Sequence, residues 1–445
     1  MRNYENEREL TRALMDFLEK SPTSFHAVEQ MAARLKEEGY EELREECPWQ
    51  LEEGGRYYVI RSMSSLIAFR IPGKNFGGYQ IMASHSDSPA FKLKENPEMA
   101  AEQHYVKLNV EKYGGMLCAP WFDRPLSIAG RVVIGREGRL VTTLVNVDRD
   151  LVMIPSLAIH MNRQVNEGYS YNAQKDLLPL YGGDGAEGTL MKTVAQAAGV
   201  SQEEILGHDL YLYNRMKGVI WGAGEEFFSC GRIDDLQCAF ASLEGFLAGG
   251  HPDCVSVHCV LDNEEVGSST KQGADSTFLE DVLWRINQAA GGGREDYLRR
   301  LSASFMVSAD NAHGVHPNYG EKADPTNRPW VNGGIVIKYN ANQKYSTDGI
   351  SAAAFKTICQ RAQVPWQTFA NRSDMAGGST LGNIANCHVS INTVDIGLPQ
   401  LAMHSPYETA GVKDTWYLVK AAKAFFETSF VPEGQGCYRL GMFRA

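Results

Sequence analysis

Four apolar runs constrain the fold of this chain more than any other feature. They are V-S-V-H-C-V-L (255–261), F-M-V-S-A (305–309), G-I-V-I-K-Y (334–339) and V-S-I-N-T-V (389–394), and segments of helical periodicity separate them. Near-continuous apolar strands that alternate with helices belong in a sheet covered on both faces, the usual setting of parallel strands. Residues 57–70 and Y-Q-I-M-A-S (79–84) read as further strands. The second of these ends in H-S-D-S-P, where Pro89 cannot donate to a ladder. Two helices come first. One covers residues 5–20 with Leu10, Leu14, Phe17 and Leu18 on one face, and the other runs from Thr23-Ser24 to Gly39. The expected fold class is α/β: a mixed, largely parallel sheet flanked by helices.

Between about Val106 and Asp150 the pattern changes to short alternating runs, R-V-V-I-G and L-V-T-T-L-V-N-V, divided by G-R-E-G-R and D-R-D turns. Residues 165–229 are mixed and rich in Gly, Asn and Asp. A chain of 445 residues is too long for one ordinary core. The expected organisation is a catalytic domain made of residues 1–92 and 230–445, interrupted by a β-rich insertion over 93–229.

A formal net charge of −11 argues against nucleic acid as a partner, because phosphate binding needs clustered Lys and Arg. Nine scattered cysteines with no C-x-x-C read as reduced thiols, neither a disulfide framework nor a thiolate zinc site. The charged opening M-R-N-Y-E-N-E-R-E-L is unlike a signal peptide. No stretch approaches the roughly 20 apolar residues of a membrane helix. A soluble, cytoplasmic protein is therefore expected.

Five segments share one trait, a His, Asp or Glu at or just past the end of an apolar run: A-S-H-S-D-S-P, G-R-I-D-D-L, L-D-N-E-E-V-G, V-S-A-D-N-A-H and L-A-M-H-S. Ligands gather at strand ends in open α/β sheets. His85 and Asp87 are two residues apart and point the same way in extended backbone, so the carboxylate can orient a metal-bound imidazole. Alone, a strand-end His with a capping Asp explains them as well. Asp234 and Asp235 are adjacent acids that a cation would relieve, and they also suit the N-terminus of the helix that follows. Glu264 and Glu265 offer two carboxylates for two tasks, one holding metal and one moving a proton. A solvated charge pair is the plainer reading of those two. Asp310 and His404, taken singly, read as a strand-end Asp and a core His.

Together, His85, Asp234, Glu265, Asp310 and His404 form a nitrogen-and-oxygen donor set suited to two borderline divalent ions, zinc first, with cobalt or manganese as alternatives. The three carboxylates offset three of the four charges on two such ions, which leaves room for an anionic nucleophile. Other chemistries find no motif. The sequence has no G-x-S-x-G, no G-x-x-x-x-G-K-[ST] and no H-E-x-x-H, and G-G-S-T (377–380) lacks the phosphate-loop lysine. No cysteine has an evident His partner.

In order and in spacing these segments resemble the aspartyl aminopeptidase family of dinuclear zinc metallopeptidases. The likeness runs from S-P-T-S-F-H-A-V (21–28) through A-S-H-S-D-S-P-A-F-K-L-K (83–94), Y-G-G-M-L-C-A-P-W-F-D-R-P-L-S-I-A-G-R-V (113–132) and I-P-S-L-A-I-H (154–160). It continues in E-E-F-F-S-C-G-R-I-D-D-L (225–236), D-N-E-E-V-G-S (262–268), S-A-D-N-A-H-G-V-H-P-N-Y (308–319) and L-P-Q-L-A-M-H-S (398–405). The resemblance implies a zinc-aminopeptidase fold that removes N-terminal Asp or Glu from peptides. It implies that His85 and Asp310 hold one zinc, Glu265 and His404 the other, and Asp234 bridges them, with a cis peptide after it. It makes Glu264 the general base and Asp87 the partner of His85. It also implies that His160, in the insertion, reaches a neighbouring subunit's site, and that Lys338 contacts substrate. Without it, His160 reads as a surface or core histidine, and Lys338 as a strand-end lysine with its head in water. The partners it implies are peptides with a free N-terminus and further copies of the chain, in a tetrahedral dodecamer built from dimers. This chain has I-D-D-L where the family usually shows L-D-N-L, and N-R-S-D-M-A-G-G-S-T-L-G-N (371–383) also departs from the family pattern. The alternatives are a dinuclear aminopeptidase or deacylase of other side-chain preference, and a non-catalytic oligomeric shell.

Overall fold

All eight residues of Gly78–His85 and all eight of Cys254–Leu261 are buried, including Gln80, Ser84, His85, Ser256 and His258. In the computed structural model, which describes residues 4–434 and 436–442, these strands sit at the centre of a nine-stranded sheet. Cys254–Leu261, Gly78–His85, Phe305–Ala309 and Asn392–Gly397 run side by side and parallel. Antiparallel strands Arg56–Arg61 and Ser65–Arg70 extend one side, and Ile335–Tyr339 joins the other antiparallel to Asn392–Gly397. The α/β sheet read from the sequence is thus present, mixed and mostly parallel.

Helices cover both faces. Leu10, Leu14, Phe246, Phe355 and Phe425 come from helices Glu7–Glu19, Ile233–Ala248, Gly349–Ala362 and Asp414–Phe426 and pack on one face. Phe278, Leu283 and Tyr297, from Phe278–Ala289 and Arg294–Ser302, pack on the other. Each such side chain, fully buried, contributes roughly 1.5–3 kcal/mol. The consequence for function is directional. Four parallel strands bring four C-terminal ends to one edge, and the polar residues that follow them meet there.

One strand differs from its expected position. V-S-I-N-T-V was read as a strand over 389–394, whereas the strand is Asn392–Gly397. Val389 N–H closes the preceding helix on Ala385 O (2.9 Å), and Ile391 N–H is taken by Asn386 Oδ1 (2.9 Å). Both side chains still enter the core, so their apolar character reports burial without reporting strand.

Residues 90–214 supply a separate six-stranded antiparallel sheet, with its own core around Phe91, Trp121, Ile128 and Leu210. Val219–Trp221 and Phe227–Cys230 belong instead to a five-stranded sheet with Pro399–Leu401, Glu408–Gly411 and Ala312–His313. That small sheet frames the turn that carries His404.

Candidate metal centre

His85 ends its strand, Asp310 follows Ala309, and Glu264 and Glu265 open a short 3-10 turn just beyond Leu261. Asp234 lies where the chain enters helix Ile233–Ala248, and its bond to Asp235 is cis, as the resemblance implied. His404, with φ +67°, sits between Pro399–Leu401 and Glu408–Gly411. Segments far apart in the chain thus converge. The donor atoms of His85, Asp234 and Asp310 all lie within 4.8 Å of one another, and so do those of Asp234, Glu265 and His404. Asp234 belongs to both groups. Its Oδ1 is 3.5 Å from His85 Nε2 and its Oδ2 is 3.4 Å from His404 Nε2, while Glu265 Oε1 is 3.2 Å from His404 Nε2. His85, Glu264 and Glu265 form a third group of the same size.

A layer of hydrogen bonds holds these donors. His85 Nδ1 donates to the Asp87 backbone O (3.1 Å) with Asp87 Oδ1 3.3 Å away, and the Asp87 carboxylate oxygens accept the backbone N–H groups of Glu264 (3.1 Å) and Glu265 (3.2 Å). Asp235 accepts from the N–H of His85 (3.1 Å) and of Asn311 (3.2 Å). Glu408 accepts from the N–H of Asp234 (3.1 Å) and of His404 (2.8 Å), and also from Gln400 Nε2 (3.1 Å). Glu408 and Tyr113, whose hydroxyl donates to Asp87 (2.7 Å), carry no functional signal in the sequence, and Asp235, which the sequence pairs with Asp234 beside a cation, acts here through backbone N–H groups. Asp235 stood in plain view beside Asp234. Glu408 and Tyr113 follow no apolar run of the kind that flagged the others.

Titration behaviour follows from crowding charge out of water. Burial raises Glu264 and Glu265, and neighbouring carboxylates add to the effect against the pull of the histidines. Burial works against charge on His85, but Asp234 and Asp87 outweigh it and raise the imidazole well above its ordinary value. His404 is likewise raised by Asp234 and Glu265 against its burial. Asp234 is lowered, because the two histidines outweigh its burial. Such a cluster shares protons that a cation can replace. The donor set fits one: among the described residues, buried Asp234 Oδ1 and Glu265 Oε1 face only an imidazole nitrogen each, without good hydrogen-bond geometry, and buried carboxylate oxygens of that kind are normally well paired or metal-bound.

Two residues named from the sequence take other positions. Lys338 is buried rather than turned to water; Nζ donates to Asn311 O (2.8 Å) and lies 3.5 Å from Asp310 Oδ1. His160 is exposed on the turn around 158–161, in the segment that follows the small bridges at 152–154, and takes part in none of the contacts above.

A family model described as Aminopeptidase I zinc metalloprotease (M18) matches residues 17–426. A relative in Clostridium novyi, described as "Probable M18 family aminopeptidase 2", is 47% identical over 429 residues, covering 95% of this chain and 99% of that one. A Pseudomonas aeruginosa relative with the same description is 44% identical over 433 residues, with the same coverage. Among solved structures, the S. cerevesiae mApe1 dodecamer superposes with TM-score 0.84 at 30% identity, covering 95% of this chain and 97% of that one.

Proposed function

The chain belongs to the M18 family of zinc metallo-aminopeptidases, and from that premise we propose that it releases N-terminal Asp or Glu from peptides at a centre of two divalent ions. The observation that carries this reading is the double membership of Asp234. One carboxylate with each oxygen facing a different histidine is the arrangement a bridging ligand needs. His85 and Asp310 would hold one ion, and Glu265 and His404 the other. Zinc suits this donor set best, with cobalt or manganese as substitutes. When bound, such ions polarise the scissile carbonyl and make water a nucleophile near neutral pH.

The rest is done by side chains. Glu264 takes the proton of the attacking water and returns it to the leaving amine. Asp87 holds His85 by Nδ1 and fixes the turn that carries Glu264 and Glu265. Lys338 provides the local cation for an acidic side chain, which the overall charge of −11 would repel. His160 serves a neighbouring copy's site, stabilising the oxygen that becomes negative, so the working form is a homo-oligomer, a dodecamer by likeness to the S. cerevesiae structure. Residues 1–92 and 230–445 act as the catalytic unit around the 93–229 insertion. We place the protein in the cytoplasm: all nine cysteines are free, and no described helix is long and apolar enough to cross a membrane.

The test is a panel of Asp-, Glu-, Leu- and Ala-nitroanilides with N-acyl controls, run after chelation and reloading with zinc, cobalt or manganese. Faster hydrolysis of the acidic pair supports the reading. Equal rates point to a dinuclear aminopeptidase of other preference, and cleavage of the acylated controls to a deacylase. A zinc-loaded protein that cleaves nothing is a shell.

A further inference from the structure

Resting on the metallopeptidase reading above, we infer that Tyr113 is a positioning residue, by which the six-stranded sheet holds the turn bearing Glu264 and Glu265. Tyr113 is the last residue of strand Tyr105–Tyr113, which belongs to that sheet and not to the nine-stranded one. Its hydroxyl donates to Asp87 Oδ2 (2.7 Å) and accepts from Asn263 Nδ2 (2.8 Å). The direction of both bonds is determined. Asn263 Oδ1 already accepts from Thr270 Oγ1 (2.9 Å) and Gln272 Nε2 (2.9 Å), so its amide nitrogen faces the phenol. An amide nitrogen can only donate, which commits the phenol proton to Asp87.

The two residues that Tyr113 joins both govern the same turn. Asn263 immediately precedes Glu264 and adopts φ +62°, a left-handed conformation that Asn tolerates better than most residues. Asp87 accepts the N–H groups of Glu264 and Glu265 and faces His85 Nδ1. One hydroxyl therefore braces the residue before the turn and the carboxylate beneath it. The chain beyond Tyr113 stays on the same site. A Cβ on Gly114 would stand 3.1 Å from Glu265 Cβ, and Leu117 N–H donates to His404 O (3.1 Å). The segment after the strand thus runs close to Glu265 and hydrogen-bonds His404.

Tyr113→Phe removes the hydroxyl and keeps the ring, which packs edge-on against Tyr211 with centroids 5.6 Å apart. Three quantities are measured on the full chain: zinc affinity by chelator competition, kcat and KM on one nitroanilide, and the melting temperature of chelated protein. A partner bonded to a metal ligand, as Asp87 is to His85, is worth about 10- to 100-fold in metal affinity; Tyr113 acts through Asp87, so a loss of zinc affinity smaller than that range is expected here. kcat should fall while KM and the chelated melting temperature stay at wild-type values. Tyr211→Phe, which removes a neighbouring hydroxyl with no hydrogen bond to Asp87 among the described residues, should behave as wild type. Unchanged zinc affinity and kcat in Tyr113→Phe overturn the inference. So does a chelated melting temperature that drops in step with activity, or an equal effect of Tyr211→Phe, since either makes the hydroxyl a packing element. A wild-type protein that takes up no zinc overturns the metallopeptidase reading, and this inference with it.

Discussion

Lys338 Nζ lies 3.5 Å from Asp310 Oδ1, deep in the protein, donates to Asn311 O (2.8 Å) and sits over the Tyr345 ring at 5.5 Å. A lysine so placed has two possible effects, on an acidic substrate and on the ligand beside it. Lys338→Ala should raise KM for Asp- and Glu-nitroanilides more than for Leu- and Ala-nitroanilides. It should also weaken zinc retention, because it leaves the buried Asp310 without its cation. A uniform rise in KM across the panel would assign acidic preference to another residue.

Glu264 and Glu265 are neighbours with different surroundings. Glu265 Oε1 is 3.2 Å from His404 Nε2, whereas Glu264 joins a group only with His85 and Glu265. Glu264→Gln should retain zinc and lose roughly 10²-fold or more in kcat, the usual scale of general-base catalysis. Glu265→Gln should lose zinc first and activity as a result. Metal analysis beside kinetics separates the two, and the reverse pattern would exchange their roles.

Proton and metal compete for the same atoms, which gives a pH prediction with a definite sign. Burial, with neighbouring carboxylates, raises Glu264 to about 9 and Glu265 to about 7. The folded, chelated protein therefore binds more protons than the unfolded chain between the ordinary glutamate range and these values. Its stability should fall as pH rises through that window. His404, raised to about 11 against its burial by Asp234 and Glu265, adds stability that is lost only as pH climbs towards that value. Zinc needs the same groups deprotonated, so the melting-temperature gain on adding zinc should grow from about pH 6 to about pH 8. Scanning calorimetry with and without chelator measures both slopes. A zinc gain that does not vary with pH would mean that the ion binds elsewhere.

The residues of the candidate metal centre were legible because sheet geometry leaves a trace in local sequence. His85, Glu265 and Asp310 each follow a run buried on both faces, so the change from apolar to ionisable marks a strand's C-terminal edge. The supporting residues leave no such trace. Glu408 acts on Asp234 from 174 positions away, through a backbone N–H that every residue type but proline carries. Tyr113 ends an alternating strand whose other residues say nothing about a hydroxyl pointing at Asp87. The displaced strand at 389–397 has the same origin. Val389 and Ile391 are buried like strand residues, yet their N–H groups serve a helix end and Asn386. Whether the burial belonged to a strand was decided by partners that periodicity does not encode.

His160 tests whether one chain makes a complete site. It is exposed and takes no part in the metal-facing cluster of its own chain. Leu157, Ile159 and Met161 around it are exposed as well, an apolar stretch more easily explained if another surface covers it. If His160 reaches the centre of a neighbouring copy, a well-aimed donor to the developing oxyanion is worth about 3 kcal/mol in the transition state, roughly two orders of magnitude in kcat. His160→Ala should then lose activity on that scale while keeping zinc and fold. Complementation decides between a shared site and a local effect. His160→Ala and Glu264→Gln proteins, each nearly inactive, should regain activity when dissociated, mixed and reassembled, because some sites then pair an intact base with an intact neighbouring histidine. Absence of recovery in oligomers demonstrated to be mixed would refute the shared site and leave the metal centre as described.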